Sequence, residues 1–184
     1  MINTDLKVHN CIKCDMYRFR RNIVSGSGNK QSKILIIGEA PGTTEDRTGV
    51  PFTGVAGQLL RYVLNQLYID SKQIFITNVV KCRPPNNRAP TDIELRNCRP
   101  YLLAELHITK PKIILLLGNK ALKAFYPNLR TTISKERGKL KIFGNSIILA
   151  TYHPAYILRN RNDAVITNEF TKDMFLLQKL VQHL

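Results

Sequence analysis

The sequence predicts a single-domain α/β/α sandwich built on a central, mainly parallel four-stranded sheet. Three observations lead there. Residues 112–117 are a nearly all-apolar run of strand length, as expected where both faces of a parallel sheet are covered. Shorter or similar apolar runs at 33–38, 73–78 and 146–150 complete four candidate strands. Between them lies helical periodicity, clearest in 56–68, where Leu59, Leu60, Val63, Leu64 and Leu67 share one face. Strands alternating with helices imply a doubly wound sheet. At 184 residues the chain fits one domain, 1–184, and can bury a core without staples.

The remaining elements follow from local signals. Thr91-Asp92-Ile93-Glu94 is a helix start in which Thr91 caps and Glu94 reaches back, opening a helix toward Leu106. Gly118-Asn119-Lys120 opens a short helix toward Phe125, and 167–184 reads as a closing amphipathic helix. Residues 25–32 and 83–90 read as polar loops; no repeat, low-complexity stretch or linker divides the chain.

Charge narrows the partner. Lys and Arg number 28 against 13 acidic residues, a formal charge of +15. From His107 to Asn162 eleven bases accompany one acid, Glu136. A face that basic attracts a polyanion, so nucleic acid is the expected partner, against the alternative of a merely solvated basic surface. No apolar run approaches the length of a spanning helix, and the polar start Met1-Ile2-Asn3-Thr4-Asp5 is not a secretion signal. A cytoplasmic location without membrane contact is expected.

Such a compartment gives disulfides little role, which turns attention to Cys11, Cys14, Cys82 and Cys98. The two-residue gap of Cys11-Ile12-Lys13-Cys14 lets two thiolates bind one centre, and Cys82 and Cys98 would complete a four-thiolate site if folding brings them near. Spacing leaves three readings: a four-cysteine cluster, a structural zinc, or two buried thiols beside a fortuitous pair.

The strand ends carry the candidate chemistry. Gly38-Glu39-Ala40-Pro41-Gly42 follows the first strand, Asn78 ends the second and His153-Pro154 follows the last. A doubly wound sheet gathers such ends at one rim, where a carboxylate, an amide and an imidazole beside Phe52 would suit a planar polar ring. Singly, each has an ordinary reading as turn, loop or core residue; the conjunction points to a site.

These segments closely resemble the family-4 uracil-DNA glycosylases, the iron–sulfur branch of the uracil-DNA glycosylase superfamily. The resemblance covers most of the chain: Cys11-x-x-Cys14, Ser25 to Asn29, Gly38 through Asp46, Thr48-Gly49-Val50-Pro51-Phe52-Thr53-Gly54, Ala56-Gly57-Gln58-Leu59-Leu60, Thr77 through Pro85, Asn87-Arg88 and His153-Pro154-Ala155-Tyr156. It implies a [4Fe-4S] cluster on Cys11, Cys14, Cys82 and Cys98, and removal of uracil from single- or double-stranded DNA by base flipping. A sliding clamp is a further candidate partner, and a monomer is expected.

The resemblance also implies roles. Gly38, Ala40 and Gly42 line the uracil pocket, Phe52 stacks on the base, Asn78 reads its N3–H and O4, and His153 donates to O2. The best-known relatives carry Asp where this chain has Ala40, so the carboxylate role passes to Glu39, with Glu45 second or else shaping the wall near uracil C5. Tyr156-Ile157-Leu158-Arg159 resembles a loop entering the minor groove, with Ile157 favoured over Leu158 as the wedge and Arg159 meeting phosphate; Arg88 is a further DNA contact. A related branch binds DNA covalently through a loop histidine; residues 81–89 contain none, so turnover is expected. The alternative is a non-catalytic iron–sulfur module that binds nucleic acid on the same fold.

Overall fold

The computed structural model describes residues 8–128 and 130–184. Six strands form one sheet: β1 (Ser27–Gly28), β2 (Ile34–Gly38), β3 (Ile74–Asn78), β4 (Ile113–Leu117), β5 (Leu140–Phe143) and β6 (Ser146–Thr151), in the order β1-β3-β2-β4-β6-β5. The four central strands β3, β2, β4 and β6 are parallel, as the apolar runs predict. Every residue of β2, β3 and β4 is buried, which is why these segments read as continuous hydrophobe rather than alternation.

Two short antiparallel strands extend this sheet to six. At one edge β1, within the predicted 25–32 loop, pairs with β3; at the other β5 forms a hairpin with β6. The hairpin turns at Gly144-Asn145, where Gly144 takes a left-handed φ of 55°. That dipeptide is a turn signal, but the mostly exposed β5 lacks the long apolar run that marks the central strands.

Helices cover both faces. Between β2 and β3 lie α1 (Thr43–Thr48) and α2 (Val55–Gln66). Between β3 and β4 runs α3 (Asp92–Thr109), opened by the predicted capping box: Glu94 N donates to Thr91 Oγ1 and Thr91 N to Glu94 Oε2. Beyond β4 come α4 (Gly118–Phe125) and α5 (Ile133–Glu136), and after β6 come α6 (Pro154–Arg159) and α7 (Ala164–Gln182). The last helix starts three residues earlier than predicted because Asp163 accepts from the amides of Val165 and Ile166. No helix among the described residues is long and apolar enough to cross a membrane.

From β2 the chain passes to β3 on one side and then to β4 on the other, so the connections diverge at the carboxyl rim of β2. An open α/β sheet parts there and leaves room for a ligand.

Candidate active site

At that rim lies a pocket of about 490 Å³ whose lining includes Glu39, Glu45, Phe52, Asn78, His153 and Arg159. The three strand ends singled out in the sequence meet there.

Asn78 is the most constrained. Its strand is in register with β2 so that Asn78 pairs with Gly38, and Val79 N donates to Gly38 O at 2.9 Å. A Cβ on residue 38 would stand 2.5 Å from both Asn78 Oδ1 and Phe52 Cζ, so only glycine lets the amide and the ring close over the strand. Asn78 is buried, yet its Oδ1 has no hydrogen-bond partner. A buried unpaired acceptor is costly, and at a pocket wall it marks where a ligand donor belongs.

Phe52 is buried with φ 57°, the left-handed region that a bulky residue rarely enters. Gly57 in the first turn of α2 permits it: a Cβ there would lie 1.9 Å from Phe52 O. The Phe52 and His153 rings are stacked, with centroids 6.1 Å apart and planes 29° from parallel.

His153 caps α6, its Nδ1 accepting from Ala155 N at 3.1 Å. An accepting Nδ1 leaves the proton on Nε2, so the neutral ring is a donor there. Desolvation, seconded by the Arg159 charge, lowers its pKa to about 4.

The carboxylates differ sharply. Glu45 receives Gly42 N on one oxygen at 3.1 Å and Gly54 N on the other at 2.7 Å, clamping the start of α1 to the start of α2. The Gly42 amide is therefore directed at Glu45, and the contribution of Gly42 to the pocket is its shape. Glu39 is half-buried, and burial raises its pKa against the opposing pull of Lys120 and Arg159. No hydrogen bond within the described residues contributes to that shift, so Glu39 is the carboxylate open to water or substrate.

The expected wedge needs correction. Residues 154–159 form a helix rather than a loop, with Pro154 at its first position, and Ile157 lies three residues on, facing inward with it. Ile157 is 6% exposed and belongs to the main core, whereas Leu158 is 36% exposed. Arg159 is exposed at the pocket edge. Arg88 also lines the pocket, but both carboxylate oxygens of Glu94 hold its guanidinium, at 2.6 and 2.8 Å, lowering the Glu94 pKa to about 2. The basic run after His107 is likewise partly engaged: Arg137 pairs with Asp173 and Glu169, and Lys139 and Lys141 with Glu136.

The four cysteines converge on one small cavity, with Met16, Ile23 and Tyr101 among its walls and no carboxylate in its lining. Cys11 and Cys14 come from the N-terminal segment, Cys82 from the turn after β3, Cys98 from α3. Lys81 N donates to Cys98 Sγ at 3.2 Å and Arg20 Nη1 to Cys82 Sγ at 3.3 Å. Burial raises the thiol pKa of Cys98 to about 12 and pushes Cys14 and Cys82 upward too. No three His, Cys, Asp or Glu side chains among the described residues are arranged as they stand to hold a single metal ion.

Sequence reasoning missed a buried ion pair behind the pocket. Lys81 and Glu105 are each 1% exposed and 2.6 Å apart. Lys81 Nζ also donates to Thr77 Oγ1 at 2.6 Å and to the Asn78 carbonyl at 2.7 Å. Glu105 accepts in addition from Thr77 Oγ1 and Gly26 N. A charged residue directly after the apolar pair Val79-Val80 was the available signal.

The family described as "Uracil DNA glycosylase superfamily" matches residues 25–178. A Type-4 uracil-DNA glycosylase of Thermotoga maritima is 42% identical over 158 residues, covering 85% of this chain and 82% of that protein. One from Saccharolobus solfataricus is 43% identical over 171 residues, covering 87% and 79%. The crystal structure of Pedobacter heparinus SMUG2 superposes with a TM-score of 0.56 at 16% identity, over 83% of this chain and 77% of that one, a likeness of fold alone. With identity at this level over most of its length, the chain belongs to the uracil-DNA glycosylase superfamily and, within it, to the Type-4 uracil-DNA glycosylases.

Proposed function

We propose that the protein is a monofunctional DNA-repair glycosylase that hydrolyses the N-glycosidic bond of deoxyuridine in DNA and leaves an abasic site. The unpaired Oδ1 of Asn78, buried beside Phe52 and His153, carries the reading. Uracil presents a donor at N3 and an acceptor at O4, so one side-chain amide satisfies both edges. Cytosine presents an acceptor at N3 and a donor at N4, leaving the same amide mismatched in a buried site.

The target nucleotide leaves the duplex to reach the pocket, at a cost of a few kcal/mol. Phe52 covers the base. As the glycosidic bond breaks, negative charge grows on the base, and the Nε2–H of neutral His153 donates to O2. A preorganised neutral donor stabilises that charge without requiring an imidazolium. The sugar develops oxocarbenium-like positive charge, which the Glu39 carboxylate opposes while it orients the attacking water. Glu45 holds the wall between residues 42 and 54, the side on which we place uracil C5, where a thymine methyl would collide.

Leu158, Arg159 and Arg88 form the DNA-facing rim: Leu158 fills the gap left by the extruded base and the arginines meet phosphates. An all-thiol donor set and two protein N–H groups pointing at the sulfurs support a [4Fe-4S] cluster at the four-cysteine cavity, which Cys11, Cys14, Cys82 and Cys98 would hold. Held by those four thiolates, it would cross-link the N-terminal segment to the turn after β3 and to α3.

Chromatographic detection of free uracil after incubation with a uracil-containing oligonucleotide tests the activity. Release by the wild type and a large fall to a slow but measurable rate in Asn78→Ala are expected; DNA binding with a loaded cluster and no base release would favour the non-catalytic module.

A further inference from the structure

We propose that Lys81 is a positioning residue for uracil recognition, holding Asn78 in its reading pose and tying that pose to the cysteine cavity. The inference rests on the pocket being a uracil site.

A strand end is ordinarily where a backbone frays, yet Asn78 must place an amide against two base atoms at once. The structure fixes it from both sides. On one side the residue pairs with Gly38 in the sheet. On the other, Lys81 Nζ reaches back to the Asn78 carbonyl at 2.7 Å. The ammonium has three acceptors, Thr77 Oγ1, Asn78 O and Glu105 Oε2, which match its three protons. Glu105 is also filled: Oε2 takes Lys81, and Oε1 takes Thr77 Oγ1 and Gly26 N.

A fully satisfied buried network of this kind resists rearrangement more than it adds stability, since an apolar pair of similar size often serves stability equally well. What the network touches is the base reader itself, through the Asn78 carbonyl. The same residue faces the cysteines, because Lys81 N donates to Cys98 Sγ and residue 82 is itself a cysteine of the cavity. One residue thus touches the carbonyl of the base reader through its side chain and a cavity sulfur through its amide.

The test is a double-mutant cycle on the cluster-loaded protein. Lys81→Met is combined with Glu105→Gln, so that no unpaired charge is left buried, and the pair is introduced with and without Asn78→Ala. The expected outcome is a fall of about 10- to 100-fold in kcat/KM on uracil DNA, the scale of a displacement near 1 Å. In the Asn78→Ala background the same pair should cost less than about 2-fold, because the residue being positioned is gone. Equal losses in both backgrounds would overturn the proposal. Thr77→Val, which removes one acceptor and no charge, should follow the same pattern with a smaller loss, and it serves if the double variant fails to fold.

A second readout is independent of turnover. The Asn78 side-chain amide resonances should shift on addition of free uracil in the wild type, and shift less or split in the variants. A wild type indifferent to uracil would sink the reading of the pocket; a normal wild-type response matched by the variants would sink the role of Lys81 alone.

Discussion

At the residue scale the division of labour between Glu39 and His153 makes the pH dependence specific. In the proposed mechanism Glu39 acts ionised; burial holds its pKa above the usual carboxylate value, so activity should fall as pH drops through that raised value. His153 acts neutral and stays so down to about 4. The acidic limb of kcat/KM is therefore that of Glu39. Lys120 and Arg159 favour the charged carboxylate, so Lys120→Met should move the limb to higher pH, read from a pH–rate profile; an unmoved limb would exclude Glu39 as its source. Glu39→Gln should lower single-turnover cleavage by about 100-fold or more while leaving affinity for abasic DNA nearly unchanged. His153 also bears on stability: its folded-state pKa of about 4 lies below the ordinary 6.5, so the unfolded chain takes up the proton first and stability should decline as pH falls from 6.5 toward 4. The identities of Glu39, Asn78 and His153 were legible because each follows an apolar run. Their states were not, since the free Oδ1, the tautomer and the clamp on Glu45 depend on contacts between segments far apart in sequence.

At the scale of elements, α6 shows what periodicity misses. Six residues are too few to display a helical pattern, and Tyr156-Ile157-Leu158 reads as an apolar loop until the His153 cap and Pro154 set its phase. Ile157→Ala should destabilise the protein by about 2–4 kcal/mol, as for other buried aliphatic truncations. It should lower activity on single-stranded and duplex DNA alike. Leu158→Ala should leave stability nearly intact and lose activity selectively on duplex, where a gap must be filled. Denaturant titration beside cleavage of both substrates separates the two. Long elements were legible for the opposite reason: β4 is apolar throughout, and the Thr91–Glu94 box prints its helix start in four residues.

At the scale of the molecule, the rim is held at two distant places. On one side the cysteine cavity joins the N-terminal segment to the turn after β3; on the other, Arg137 and Thr151 bond Asp173 of α7, and Tyr152 Oη donates to Glu169, steadying the approach to His153. Cys98→Ser should reduce iron and sulfide content, lower the melting temperature and depress duplex binding; full affinity from an iron-free protein would separate the cavity from DNA recognition. Composition announced the polyanion but not the pairing of Arg137 with Asp173 of α7, because a partner so far along the chain leaves no mark in a local run; Lys139 and Lys141 pair with Glu136 inside the run itself. The central claim is removal of uracil from DNA, and the most direct measurement is alkaline strand cleavage of an oligonucleotide carrying one uracil beside a matched thymine strand. Breaks at uracil and none at thymine are predicted; intact uracil strands in the presence of cluster-loaded, DNA-bound protein would contradict the account.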